Sequence, residues 1–292
     1  MVFHPPVAIV AKAGDAGKYK VSLPAWNMVM RGFMAGAYIA MGGALATVCS
    51  TGIMASDAAL RIGAASAGFS QLILGAVFPV GLIIIVLTGA ELFTGDAMLA
   101  PMAAFIHKVS WAQIINLWIW VYIGNLIGSI VFAYIMAYGP FVSFDSAGVA
   151  TVTAFGTRAI AIASAKVSYV GVAGMWSAFL KAIACNWLVN LAILLGICAD
   201  DLIGKFFGIW FPIMAFVSSG FEHCVANMYF IPAGILTQGF ITDPTKINAG
   251  LTWVTMWTNN LIVVTIGNIV GGLFFVGIIY WVAFRKEIAA LK

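Results

Sequence analysis

Two short polar stretches interrupt long apolar runs, and they hold the residue types that could do chemistry. The first is Thr88-Gly89-Ala90-Glu91-Leu92-Phe93-Thr94-Gly95-Asp96, and the second is Ser218-Ser219-Gly220-Phe221-Glu222-His223-Cys224-Val225-Ala226-Asn227. An ionisable group at bilayer depth costs roughly 2.5–3.5 kcal/mol on insertion scales, so a protein that carries one there is expected to use it. His223 is the one histidine within an apolar span, since His4 lies near the N-terminus and His107 at a span end. A lone histidine is more often a satisfied structural group. This one stands in a break beside Glu222, with Asn227 one turn later, and imidazole exchanges a proton near neutral pH. It can bind a small weak-acid anion and protonate it.

The rest of each break suits the same task. Gly89 and Gly95 permit turns, while Thr94 and Asp96 are good helix N-caps. Ser218, Ser219 and Gly220 can act likewise. Two half-helices restarting with inward N-termini would aim free amides and positive dipole ends at the midplane, a ready anion site. Glu91 and Glu222 are expected to be structural, bonding free loop amides, with Glu222 also able to tune His223. Phe78, Leu82, Leu92, Phe93 and Phe216 flank the breaks. Plain packing is their ordinary role, but a pore needs narrow apolar rings against hydrated ions. Arg31, Lys166 and Lys181 could raise the local anion concentration in vestibules, though Arg31 serves equally well as a positive-inside anchor.

The elements that must position these residues are membrane helices. The chain of 292 residues is 63% hydrophobic and 8% charged, with a mean hydropathy of +1.06. Soluble domains carry about 25% charged residues, so this is an integral membrane protein of the lipid bilayer. A net charge of +4 without a basic run argues against nucleic acid as a partner. Cys49, Cys185, Cys198 and Cys224 contain no Cys-x-x-Cys pair, and they read as buried small residues rather than disulfide or zinc ligands. No metal and no cofactor is expected.

Spans of about 20 apolar residues fall at 25–51, 66–107, 112–138, 173–199, 203–241 and 251–283. The second and fifth are too long for one crossing and are broken internally, which is tolerated only where irregular backbone faces protein or a water-filled cavity. Lys and Arg bias favours both termini inside, with nine residues on that side including Lys292, and four opposite, including Arg61. The halves repeat: Ile123-Gly124-Asn125-Leu126-Ile127-Gly128-Ser129 matches Ile266-Gly267-Asn268-Ile269-Val270-Gly271-Gly272, and Arg31 corresponds to Lys181. Three spans per half makes the second copy inverted. The expected organisation is a cytoplasmic tail at 1–24, a six-span unit at 25–284 with repeats at 25–139 and 173–284, an extracellular loop at 140–172, and a cytoplasmic tail at 285–292.

Gly89–Asp96, Cys185-Asn186-Trp187-Leu188-Val189 and Gly220–Met228 together resemble the three signatures of the formate/nitrite transporter family, over about 25–283 and most like the formate transporters of methanogenic archaea. The resemblance implies an all-α, aquaporin-like protomer of six spans with an inverted 3+3 repeat, helices 2 and 5 broken, assembled as a homopentamer in the plasma membrane with one pore per subunit. It gives Thr94 the loop-threonine role, His223 the central-histidine role and Asn186 a neighbouring polar position. Phe78, Leu82, Leu92 and Phe216 take constriction positions, and Lys166 a vestibule position. The substrate would be a small monovalent anion, foremost formate, moved with a proton through the central His. A passive anion channel for nitrite, hydrosulfide or acetate is the alternative. A water or solute facilitator would lack its Asn-Pro-Ala repeat here. A membrane-embedded enzyme would lack a nucleophile–base pair or cofactor motif.

Overall fold

The computed structural model describes residues 3–53 and 67–290. Arg61 and Lys292, used above for orientation, lie outside the described residues. The chain forms α1 (Pro6–Val21), α2 (Ala25–Ser50), α3 (Ala67–Val77), α4 (Val80–Thr88), α5 (Phe93–Phe105) and α6 (Trp111–Tyr138). A two-stranded hairpin, β1 (Val142–Phe144) and β2 (Ala150–Val152), leads into α7 (Ala154–Lys166). Then follow α8 (Gly171–Cys198), α9 (Leu202–Ser218), α10 (Cys224–Gln238) and the last helix, α11 (Trp253–Ala290). Two π-helical stretches, Trp257–Leu261 and Leu273–Ile278, lie within α11.

Among the described residues, α2, the α3–α4 segment, α6, α8 and α11 are each long and apolar enough to cross a membrane. The breaks fall where the sequence places them. α4 ends on Gly89 at φ +76°, and α9 ends beside Gly220 at φ +68°. Left-handed backbone of this kind costs a residue with a Cβ about 1–2 kcal/mol, which glycine avoids. The chain then turns inward and restarts as α5 or α10. Both half-helices are buried along nearly their whole length, as elements wrapped by the surrounding long helices must be.

Three expectations change. Neither Thr94 nor Asp96 is an N-cap: Leu92 holds that place for α5, and Thr94 and Asp96 lie in its first turn. The segment 1–24 is more than a tail, because α1 packs against α5 so closely that a Cβ on Gly17 would collide with the Leu99 carbonyl oxygen. The region 285–292 continues α11 as helix to Ala290.

Candidate transport site

Each break is held by an asparagine from a neighbouring long helix. On α6, Asn125 Oδ1 accepts the Phe93 N–H at 3.0 Å, while its Nδ2 donates to the Gly32 and Glu91 carbonyls at 2.8 and 2.9 Å. On α11, Asn268 Oδ1 accepts the Cys224 N–H at 2.9 Å, and its Nδ2 donates to the Ala182 and Glu222 carbonyls at 2.8 and 2.9 Å. The Glu91 N–H reaches the Arg31 carbonyl as the Glu222 N–H reaches the Lys181 carbonyl. The two halves therefore repeat one hydrogen-bond pattern residue for residue. A carboxamide carries both an acceptor and two donors, and so can satisfy two backbone groups that each break exposes while tying them to a carbonyl of the neighbouring α2 or α8.

Glu91 and Glu222 do not bond loop amides through their carboxylates, contrary to expectation. Lys20 of α1 pairs with Glu91 and lies 3.0 Å from Asp96 Oδ1, and Arg31 stands 3.6 Å from Glu91. In the other half, Glu222 Oε1 accepts Lys166 Nζ at 2.7 Å and the Tyr169 hydroxyl at 2.9 Å. Glu222 Oε2 accepts Asn227 and Asn260 Nδ2 at 2.7 and 3.3 Å. Both glutamates are buried, and a buried charge requires such pairing. Lys20, Tyr169 and Asn260 escaped sequence reading because each comes from outside the breaks. Lys181 donates to the Tyr169 hydroxyl at 3.1 Å, with its ammonium 5.0 Å from that ring's centroid. It buttresses the cluster and does not line the cavity.

His223 occupies the N-cap of α10, the place that Leu92 takes before α5. Its Nδ1 accepts the Ala226 N–H at 3.0 Å, so a neutral ring carries its proton on Nε2. Nε2 lies 3.0 Å from Thr94 Oγ1 and donates to it, leaving the threonine hydroxyl proton available. Phe216 stacks on the imidazole at 5.7 Å and 20°. Thr94 is held from behind: Asn186 and Asn190 Nδ2 donate to its carbonyl at 3.0 and 3.1 Å. Asn186 also donates to the Asn268 carbonyl at 2.6 Å. Thus Asn186 ties Thr94 to the backbone of Asn268, the residue that holds the second break, while Asn190, unnoticed in the sequence, adds a second bond to the Thr94 carbonyl from one turn away.

Two cavities open toward this contact from opposite ends. One, of about 290 Å³, is bounded by α7 and includes Arg158, Lys166, Glu222, Phe78, Phe216 and His223. The other, of about 250 Å³, is bounded by α1 and includes Lys20, Arg31, Glu91, Asp96, Leu82 and Leu92. Between them lies a gap lined by Ile39, Phe78, Leu82, Leu92, Val189, Ile213, Phe216 and His223, too tight to hold a water. Phe78 meets Phe216 edge-on at 5.8 Å. Phe93 is not part of this ring. It points toward α6 and packs edge-on against Trp118 and Tyr122, because successive residues of a new helix diverge by about 100°. Ile39, Val189 and Ile213 join the ring from α2, α8 and α9, and nothing in their local sequence distinguishes them from core residues.

Two vestibules, a dry apolar waist and one polar contact at that waist make this a membrane channel or transporter. The chain belongs to the formate/nitrite transporter family, whose pattern matches residues 7–282. It is 41% identical over 287 residues to a probable formate transporter of Methanothermobacter thermautotrophicus, covering 96% of this chain and 97% of that one. It is also 35% identical over 292 residues to the formate channel BtFdhC of Bacillus thuringiensis, covering the whole of both chains. The formate channel FocA of Escherichia coli K12 is 31% identical over 291 residues, covering 97% of this chain and 95% of that one. Among solved structures, a pentameric formate channel with formate bound aligns with TM-score 0.72 and 34% identity over 90% of this chain and 98% of its own. A family ion channel aligns with TM-score 0.75 and 26% identity, over 94% and 98%. The family and these structural neighbours are channels and transporters, not enzymes.

Proposed function

We propose that this chain carries a small monovalent anion, foremost formate, across the plasma membrane together with a proton. In this reading it works as a homopentamer of protomers with inverted halves, a pore in each and both termini cytoplasmic. The observation that carries the reading is the Thr94–His223 contact of 3.0 Å at the edge of a waist too tight for water. A bare anion loses its hydration in that gap, and desolvating an unpaired ion costs far more than desolvating a neutral polar molecule. The anion reaches the polar contact, accepts hydrogen bonds from His223 Nε2–H and the Thr94 hydroxyl, and crosses as the neutral acid.

The resting imidazole has one proton, on Nε2, and losing it would leave an imidazolate. The transferred proton therefore arrives through vestibule water, and His223 acts as the donor that holds the anion while it arrives. Two substitutions read this directly in proteoliposomes. His223→Phe removes the donor and abolishes formate uptake, whereas His223→Asn restores a donor and keeps measurable uptake. Unchanged uptake and pH dependence in His223→Phe would refute the role. Symport of formate with a proton is electrically silent. A current whose reversal potential tracks formate would instead establish the passive anion channel, for nitrite, hydrosulfide or acetate as well.

A further inference from the structure

The cations that stand at the two breaks are already spent on carboxylates. Lys166 is paired with Glu222 at 2.7 Å. Lys20 is shared between Glu91 and Asp96, and Arg31 leans on Glu91. A cation beside its counter-ion presents a dipole, whose field falls off faster than that of a lone charge. Yet each vestibule has one further cation. Arg158 of α7 lines the first cavity, and Lys205 of α9 lines the second.

Among the described residues, no carboxylate lies within 4 Å of either one. Arg158 Nε makes a long contact of 3.5 Å with Ser50 Oγ, which leaves the two terminal nitrogens of its fork open. Lys205 Nζ donates to the Gly196 carbonyl at 2.8 Å. The nearby Asp201 carboxylate is engaged with the Gly204 N–H at 2.7 Å as the N-cap of α9. Among the described residues, two cations therefore face one carboxylate in the first cavity and three face two in the second, an excess of one positive charge in each.

The geometry points to Arg158 and Lys205 as the anion-capturing charges of the two vestibules, each taking a small carboxylate or similar monovalent oxyanion before it enters the waist. Lys20, Arg31 and Lys166 then act as counter-ions that hold the breaks. The planar guanidinium can bind a carboxylate with two parallel N–H donors. Burial lowers the Arg158 pKa from its ordinary value, yet a guanidinium starts so high that it stays charged at pH 7. One unpaired charge per mouth also suits throughput, since a pore site must attract its ion and still release it.

The inference rests on the proposed transport of a small anion, and the test separates the two. Formate entry is measured against concentration in liposomes with the protein in one orientation, at low and high salt. Arg158→Gln should raise KM for entry from the α7 face about fivefold at low salt, with Vmax little changed, because a charged cleft acts on capture. The effect should shrink as salt screens it, and Arg158→Lys should recover most of it. Lys205→Gln should do the same from the α1 face alone. Wild-type KM in both neutralised variants, with formate still carried, would overturn the charge assignment and leave the transport reading standing. A wild-type protein that carries nitrite but not formate would overturn the formate reading, and the same KM comparison made with nitrite would then decide the assignment.

Discussion

Replacing Asn125 by Leu keeps nearly the same volume and removes the group on which the first break depends. Three hydrogen bonds disappear together: from the Phe93 N–H, and to the Gly32 and Glu91 carbonyls, at 3.0, 2.8 and 2.9 Å. Asn125 is fully buried, so no water replaces it. Measured hydrogen bonds within membrane bundles average about 0.6 kcal/mol and reach about 1.7. Three of them give about 2–5 kcal/mol, with the upper half of that range favoured because backbone groups are left unsatisfied in the interior. Asn268→Leu breaks the equivalent set at the second break and should cost a similar amount. Asn125→Asp keeps the acceptor for Phe93 and loses both donors, so it cannot restore the site. Unfolding in mixed detergent micelles would measure each value, with formate flux recorded in parallel. A cost below about 0.5 kcal/mol for Asn125→Leu would refute the claim that the asparagine holds the break, since that is less than one average bond.

Two further outcomes follow from the geometry. Lys20→Met leaves Glu91 with Arg31 as its ion-pair partner and leaves Asp96 with none among the described residues; it should destabilise the fold by about 3–5 kcal/mol, and adding Asp96→Asn should recover most of that in the same unfolding assay. Phe216→Ala removes the ring that stacks on His223 and meets Phe78. It should cost about 3–5 kcal/mol and raise acetate flux relative to formate, and an unchanged ratio would show that this ring does not set the width.

The two breaks were legible in the sequence because lipid makes polar residues expensive, and each departure from an apolar run is therefore a signal. Gly89 and Gly220 marked the turns, and the Asn125 and Asn268 motifs marked the repeat. His223 stood out for the same reason. Phe93 shows the limit of that reading. It is adjacent to Leu92 and as apolar, but the first turn of α5 sends it to Trp118 while Leu92 lines the waist. Proximity along the chain gives no direction until the helix phase is set.

By itself, then, the sequence determined the membrane class, the places where helices must break, and the chemistry available at them. Only the tertiary structure decided which charge belongs to which. Lys20 comes from a segment that looks like an unattached tail, yet α1 lies on α5 and delivers its ammonium to Glu91 and Asp96. Lys166 reaches Glu222 from α7, far along the chain. Periodicity and local composition record the solvent that each residue faces. Ion pairing acts through space over a few ångströms, and those distances exist only once the helices are packed.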